Sequence, residues 1–399
     1  MKKKILIAAS NLTCGGKEKS LVSLLQAIDY HKFEVDLLLT NMNKGGDFYL
    51  EFIPKSVKIL FFPDKYKWIF LQKENFFAIG KNALGINLNY LKMLFYTAKG
   101  IICKNMAIER QKMWISCSKA INLFNEKYDV AIDYTGGHKQ LILDKVVSDR
   151  KISWVHSDYK VYKRDKSMDD KDYRKMDSII TISETTYNIF VKEFPQYKGK
   201  THIIHNISDK KQIESMANQS VNFDNTYSGI KILDITRLDP NKGLNIAIQA
   251  CKTLVDLGYD LKWYILGEGP ERSKLEKLIK ENSLTNRFIL LGLQANPYPY
   301  IKKADMIVHC SLFEGKSVAI DEAMLLAKPI ILTNYPTAKD QIENGINGLI
   351  ADISVEGVSN KIKFLMNNES LRKELTINLQ DFDLSAKASI EKLYSLIEK

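Results

Sequence analysis

The chain has 399 residues, more than a single hydrophobic core of about 250 residues accommodates, so two domains are expected. Hydrophobic residues at 45% and charged residues at 26% lie near soluble globular averages, and with only 9 prolines and no low-complexity tract they exclude a disordered chain. Apolar runs such as Ile5 to Ala9 and Ile330 to Leu332 fall far short of the ~20 residues a membrane-spanning helix needs.

The net charge of +11 is placed unevenly: residues 1–200 carry 34 Lys and Arg against 22 Asp and Glu, and the remainder 24 against 25. Between residues 60 and 120 the basic side chains interleave with aromatics, as in Phe61, Phe62, Tyr66-Lys67-Trp68, Phe76-Phe77, Lys92 to Tyr96 and Lys112 to Trp114. Such a face suits anionic lipid headgroups or a phosphate-bearing acceptor, and equally a helical surface whose lysines face water. No nucleic-acid motif accompanies the charge, so nucleic acid is not an expected partner. The five cysteines, at 14, 103, 117, 251 and 310, show neither CxxC pairs nor zinc-type spacing, which fits a reducing cytoplasm. Cys14 sits beside a glycine pair and has a nucleophile reading, but the sequence places no base near it, and small buried thiols are common.

Taken in order, the chain opens with Met1 to Lys4 and a short apolar run that has the outline of a signal peptide. The run breaks at Ser10-Asn11 and Gly15-Gly16, and therefore reads as a first buried strand. Short β-branched runs then alternate with amphipathic stretches, the pattern of βαβ units and parallel sheets. Strands are predicted at Lys4 to Ala9, Glu34 to Leu39, Val57 to Phe61, Val130 to Asp133, Ile152 to Val155, Ser178 to Ile182 and His202 to Ile204. The stretch from Phe62 to Asn125 is predicted helical and is expected to cover an acceptor site. Asn206 to Tyr227 is polar with weak periodicity and is expected to be the linker. The strand pattern restarts at Ile230 to Ile235, Lys262 to Leu266, Phe288 to Leu291, Met306 to His309, Pro329 to Leu332 and Gly348 to Ile350, with helices at Leu244 to Leu257 and Glu271 to Glu281. The expected domains are 1–207, 208–383 and a C-terminal helix, 384–399, packing back on the first. Doubly wound sheets bind ligands beyond the carboxyl ends of their strands, so a cleft between the two domains is the expected site.

Two segments carry the chemistry. Thr236-Arg237-Leu238-Asp239-Pro240-Asn241-Lys242-Gly243 follows the strand that opens the second half; Asp-Pro-Asn makes a turn and Gly243 marks a helix start. Arg237 and Lys242 then offer a planar guanidinium and a mobile ammonium to a diphosphate, although two solvated cations on a surface turn would look the same. Ser311 to Ala323 reads as strand end, Glu314-Gly315 turn and helix, a geometry that aims backbone N–H groups at an anion near Lys316, Ser317 and Val318. Glu322 lies eight residues after Glu314 and is flanked by Ala319, Ile320, Ala323 and Met324, where an unpaired charge is costly. Ribose hydroxyls are one partner that would explain it. Gly15-Gly16 would let backbone approach donor phosphate or acceptor closely, but is not the Gly-x-Gly-x-x-Gly fingerprint of a dinucleotide enzyme.

The Glu-x7-Glu pair, the Arg-x4-Lys-Gly turn and the double Rossmann layout resemble the retaining GT-B glycosyltransferases of family 4, the glycosyl transferases group 1. The resemblance implies that Arg237 and Lys242 bind the donor diphosphate, Glu322 the ribose, and Glu314 the donor sugar. Gly267-Glu268-Gly269-Pro270 is similar to the family's glycine turn, Asn344 to Ile350 to its Asn-Gly segment, Thr181 to Glu184 to its strand-to-helix serine junction, and His205-Asn206 to its first-domain end. His156, within Trp154 to Asp158, resembles the family's active-site histidine; His138, after Gly136-Gly137, is a weaker candidate. Lys316 departs from the apolar residue usual after Glu-Gly and is an additional cation for the donor; Asp340 stands where glutamate is more usual. The implied activity is metal-independent, cofactor-free transfer from a nucleotide sugar, expected to be a UDP-sugar, to a saccharide or lipid-linked saccharide in surface polysaccharide or capsule assembly. The expected location is cytoplasmic, peripheral on the inner membrane face. Alternatives are a nucleotide-sugar-binding pseudo-enzyme and an epimerase or phosphorylase on the same fold.

Overall fold

A computed structural model describes residues 2–13, 15–41, 47–64, 66, 69, 88–123, 126–384 and 386–399. Cys14, Lys67, Trp68, Phe76 and Phe77 lie outside the described residues. The chain divides into two units, Met1–His205 with Ile390–Lys399, and Asn206–Ser389.

The first unit is built on a seven-stranded sheet in the order β3-β2-β1-β4-β5-β6-β7. Its strands are β1 Lys3–Ala9, β2 Phe33–Leu39, β3 Val57–Phe61, β4 Lys127–Asp133, β5 Val147–Val155, β6 Ser178–Thr181 and β7 Thr201–Ile203, and every pairing is parallel. Ile5 through Ala9 are all buried, as a strand covered on both faces by crossover helices requires. Two described helices, Leu88–Ile102 and Met106–Cys117, occupy the aromatic-rich insertion. The C-terminal helix Ala386–Glu398 carries Tyr394, whose ring lies 4.8 Å from Phe33 and whose oxygen accepts the Asp29 N–H at 2.7 Å.

The second unit has a six-stranded parallel sheet in the order β10-β9-β8-β11-β12-β13. These strands are β8 Ile230–Ile235, β9 Leu261–Leu266, β10 Phe288–Gly292, β11 Met306–His309, β12 Ile330–Thr333 and β13 Leu349–Ala351. In both sheets the order reverses next to the opening strand, the switch point where doubly wound folds gather functional loops.

One expectation needs correction. The polar stretch 206–227 is no simple linker: it forms the helix Lys210–Ala217, capped by Asp209, which accepts the Gln212 N–H. Phe223 then anchors it, buried with its ring 4.7 Å from Tyr264 and 5.1 Å from Tyr300. With Ile213 and Ala217 of the helix buried in the same cluster, the segment is part of the second core.

Candidate functional site

The loops at the carboxyl ends of β8, β9 and β11 are locked together through glycines. Gly243 has φ +62°, and a Cβ there would collide with the Cys310 carbonyl; Gly267, at φ +150°, is pressed in the same way against the Thr236 carbonyl. Asn241 O accepts from both the Leu312 N–H at 2.9 Å and Ser311 Oγ at 3.2 Å. The turn that carries Lys242 is thereby fixed against the loop that carries Glu314.

Those two side chains form an ion pair, Lys242 Nζ to Glu314 Oε1. The same Glu314 oxygen lies 3.0 Å from His309 Nε2, and His309 Nδ1 lies 2.8 Å from Asp234 Oδ1. The result is a continuous chain, Asp234–His309–Glu314–Lys242, running from the middle of the sheet to the loop surface. Burial alone would lower the pKa of His309, but Asp234 and then Glu314 outweigh it and raise the imidazole to about 9. Burial would likewise raise Glu314, yet His309 and Lys242 hold its carboxyl down at about 2. His309 and Glu314 are therefore both charged at neutral pH.

Arg237 is 62% exposed and rests on Asp239 at 3.0 Å, while Asp239 also caps the Pro240–Lys242 turn through the Asn241 N–H. Glu322, on the helix Val318–Leu325, is buried and accepts a hydrogen bond from Tyr298 Oη at 2.9 Å. The extra cation at Lys316 does not stand free: its ammonium is 3.2 Å from buried Asp321, which Gln341 Nε2 also contacts at 2.8 Å. Gln341 Oε1 takes the Ser317 N–H at 3.0 Å, so that amide is already engaged. Val318 begins the helix, whose first amides have no partner within it. Gly315 is buried in the turn between.

In the first unit, Gly15 is the N-cap of the helix Gly16–Ala27 in an extended conformation. His156 is buried, its Nε2 2.7 Å from the Tyr134 carbonyl and its ring stacked at 6.1 Å on Trp154. Burial, with Lys17 adding to it, drives its pKa down to about 3, so His156 is a neutral hydrogen-bonding group and not a proton carrier near pH 7.

Sequence reasoning missed His309 and Asp234. The signal was present: Asp234 stands among Ile232, Leu233 and Ile235 in a buried strand, where a carboxylate needs a partner, and His309 ends the neighbouring strand.

Two doubly wound, all-parallel units of this order define the GT-B architecture. Residues 216–381 match the family model for Glycosyl transferases group 1, which identifies the second unit as a domain of that kind. Along 93% of this chain and 92% of its own length, the N-acetylgalactosamine-N,N'-diacetylbacillosaminyl-diphospho-undecaprenol 4-alpha-N-acetylgalactosaminyltransferase of Campylobacter jejuni is 24% identical. Among solved structures, Anabaena HepE in complex with UDP superposes with a TM-score of 0.68 at 16% identity, covering 99% of both chains. A TarM mutant from S. aureus, in complex with UDP, fondaparinux and alpha-GlcNAc-glycerol, has a TM-score of 0.68 at 15% identity over all of both chains. At such identities the structures establish the fold.

Proposed function

We propose that the protein is a retaining, metal-independent family 4 transferase that moves a sugar from a UDP-sugar to a saccharide or lipid-linked saccharide in surface polysaccharide assembly. The observation that carries this is the fixed chain ending in Lys242, with Arg237 on the same loop and Glu322 on the helix that opens after Glu314. Arg237 and Lys242 take up charge as the diphosphate departs, so fixed cations serve where a metal might otherwise be used. Glu314, kept ionised, orients the sugar, and Glu322 with Tyr298 receives the ribose. The acceptor hydroxyl attacks from the leaving-group face, and its proton passes to the departing phosphate oxygen. The roles of His156, Gly15 and Gly16 in donor binding, and of Gly267, Lys316, Ser317 and Val318, rest on the family resemblance; for Lys316 and Ser317, any contact would have to compete with Asp321 and Gln341. Both the UDP in the HepE and TarM structures and the diphospho-undecaprenol in the name of the C. jejuni relative support the choice of donor and acceptor.

UDP should raise the thermal midpoint of the wild-type protein more than GDP or ADP, since a ligand that binds only the native state adds about 2.7 kcal/mol at a hundredfold excess over Kd. Arg237→Ala and Glu322→Ala should each abolish the shift. Unchanged shifts in both variants would remove the donor site.

Peripheral membrane contact belongs to the same reading. Among the described residues no helix is long and apolar enough to cross a membrane. The helix Leu88–Ile102 nevertheless exposes half or more of Leu91, Phe95, Ile101 and Ile102, and Ile115 does the same on the helix beside it. Leu88–Ile102 contains Lys92 and Lys99 and no acidic residue, the composition of an interfacial helix on an anionic surface. The protein should co-sediment with vesicles containing phosphatidylglycerol, weakly with pure phosphatidylcholine, and Phe95→Ser with Ile102→Ser should lose the difference. Equal sedimentation of variant and wild type would place the membrane contact elsewhere or nowhere.

A further inference from the structure

The two oxygens of Glu314 are used unequally. Lys242 Nζ and His309 Nε2 both take Oε1, the imidazole at 3.0 Å, while no described residue hydrogen-bonds Oε2. One oxygen of the carboxylate is therefore committed to the protein and the other is left for a ligand. His309 is the deeper of the two cations, 2% exposed against 16% for Lys242. Its other nitrogen, Nδ1, lies 2.8 Å from Asp234 Oδ1, and Asp234 Oδ2 meets no hydrogen-bond donor among the described residues, so the charge of Asp234 is answered by His309. An ionised carboxylate only accepts hydrogen bonds, and a ring with a carboxylate on each nitrogen therefore carries a proton on each. Burial opposes that charge, but Asp234 and Glu314 outweigh it and hold the pKa at about 9.

The backbone that joins the imidazole to the carboxylate is pinned along its length. Thr333 Oγ1 lies 2.5 Å from the Ser311 carbonyl and 3.3 Å from that of His309. Ser311 Oγ donates to the Phe313 carbonyl at 3.0 Å, and Thr337 Oγ1 to the Glu314 carbonyl at 2.9 Å. The Tyr335 ring stands edge-on to the imidazole at 6.2 Å. A buried Asp–His pair alone would only join β8 to β11. Here the second nitrogen leaves the sheet for the loop and meets the same oxygen as Lys242.

We propose that His309 is a positioning residue for the donor sugar: it holds Glu314 by Oε1 so that Oε2 accepts a sugar hydroxyl, and as the second cation on Glu314 it frees Lys242 for the diphosphate. An ammonium has three donors, and those of Lys242 not engaged by Oε1 can turn to phosphate oxygens while the imidazolium keeps Glu314 charged and in place. On the glycosyltransferase reading, on which this role rests, the sugar and its leaving group then meet two groups set by one framework.

Calorimetry from pH 7.5 to 10 with UDP and with UDP-glucose, UDP-galactose and their N-acetylated forms tests the proposal. UDP carries the same base and both phosphates, so affinity relative to UDP isolates the sugar contact. Facing the imidazole are Asp234 of β8, Glu314 and Lys242 of the two loops, and Tyr335 after β12, which burial keeps neutral across that range. Loss of the Lys242 charge would weaken UDP and UDP-sugar together. For the UDP-sugar that wild type binds most tightly, affinity relative to UDP should fall about tenfold or more as pH rises through about 9 and His309 gives up its proton, in line with a hydrogen bond to a charged group. In His309→Gln the relative affinity should begin about tenfold lower and stay level with pH. Asp234→Asn keeps an acceptor for Nδ1 without its charge and should move the fall to lower pH; that variant and the wild-type profile decide the matter if His309→Gln does not fold. An imidazole that serves stability alone would lower UDP and UDP-sugar affinity equally when replaced. That result, a wild-type ratio level through pH 9, an unmoved fall in Asp234→Asn, or UDP binding with no UDP-sugar bound would each overturn the proposal. Absence of any UDP-induced thermal shift would remove the donor reading and this role with it, whereas a normal UDP shift with a level ratio removes the role alone.

Discussion

Lys242→Ala is expected to slow sugar transfer about a hundred- to a thousandfold at saturating donor, the usual cost of removing one preorganised charge from a leaving group. The loss should fall on kcat more than on KM, because the diphosphate gains negative charge as the glycosidic bond breaks and the ammonium matters most there. Folding should suffer little. The ion pair with Glu314 is partly open to solvent, 16% and 15% exposed, and Glu314 retains His309 when the lysine is gone. No charge is left buried without a partner, the situation that makes a broken pair expensive. Lys242→Arg keeps the charge but not the compact ammonium, and should recover part of the rate. The measurement is UDP release from whichever UDP-sugar the thermal shift selects, beside a thermal midpoint for each variant. A Lys242→Ala protein that turns over normally would show that the leaving group is stabilised by other residues.

Much of this architecture is written in the sequence because buried parallel strands are nearly continuous apolar runs. Ile230–Ile235 and Met306–His309 begin and end where the β-branched runs do. β5 shows where that signal stops: after Val147 its first residues, Ser148 to Lys151, are all polar and none is buried, and only the buried part from Ile152 stands out. The Arg237 to Gly243 turn and the Glu314 to Glu322 segment are legible because tight turns and helix starts demand particular residues. Their partners are not. Nothing in the local spacing says that Lys316 closes on Asp321, that Gln341, twenty residues on, fills the remaining valence, or that Tyr298 comes to Glu322. Such pairings depend on which helix returns over which strand, information carried by packing and not by neighbours in the chain.

His309 is where that hidden pairing has its largest consequence for stability. Its imidazole is buried between Asp234 of β8 and Glu314 of the following loop, with Lys242 beyond Glu314 and the Tyr335 ring edge-on at 6.2 Å. Its folded pKa of about 9 lies above the ordinary 6.5, so the stability it contributes is complete below pH 6.5 and is lost as pH rises through 9. Glu314, at about 2 against an ordinary 4.5, contributes fully above pH 4.5 and loses its share as pH falls through 2. The two overlap between pH 4.5 and 6.5, where the chain of charges should stabilise most. The alkaline limb alone represents about 3 kcal/mol at ~1.4 kcal/mol per unit. His309→Gln removes the cation and leaves buried Asp234 without a charged partner, with Glu314 on Lys242 alone, a change expected to cost about 3–5 kcal/mol at pH 5.5. Urea unfolding of wild type and variant at pH 5.5, 7.5 and 9 should therefore give curves that converge as the pH rises, since the wild type surrenders toward pH 9 what the variant never had. Curves that run parallel across that range would mean the imidazole does not carry the charge that binds Asp234 to Glu314, and that Glu314 is held in place by Lys242 alone.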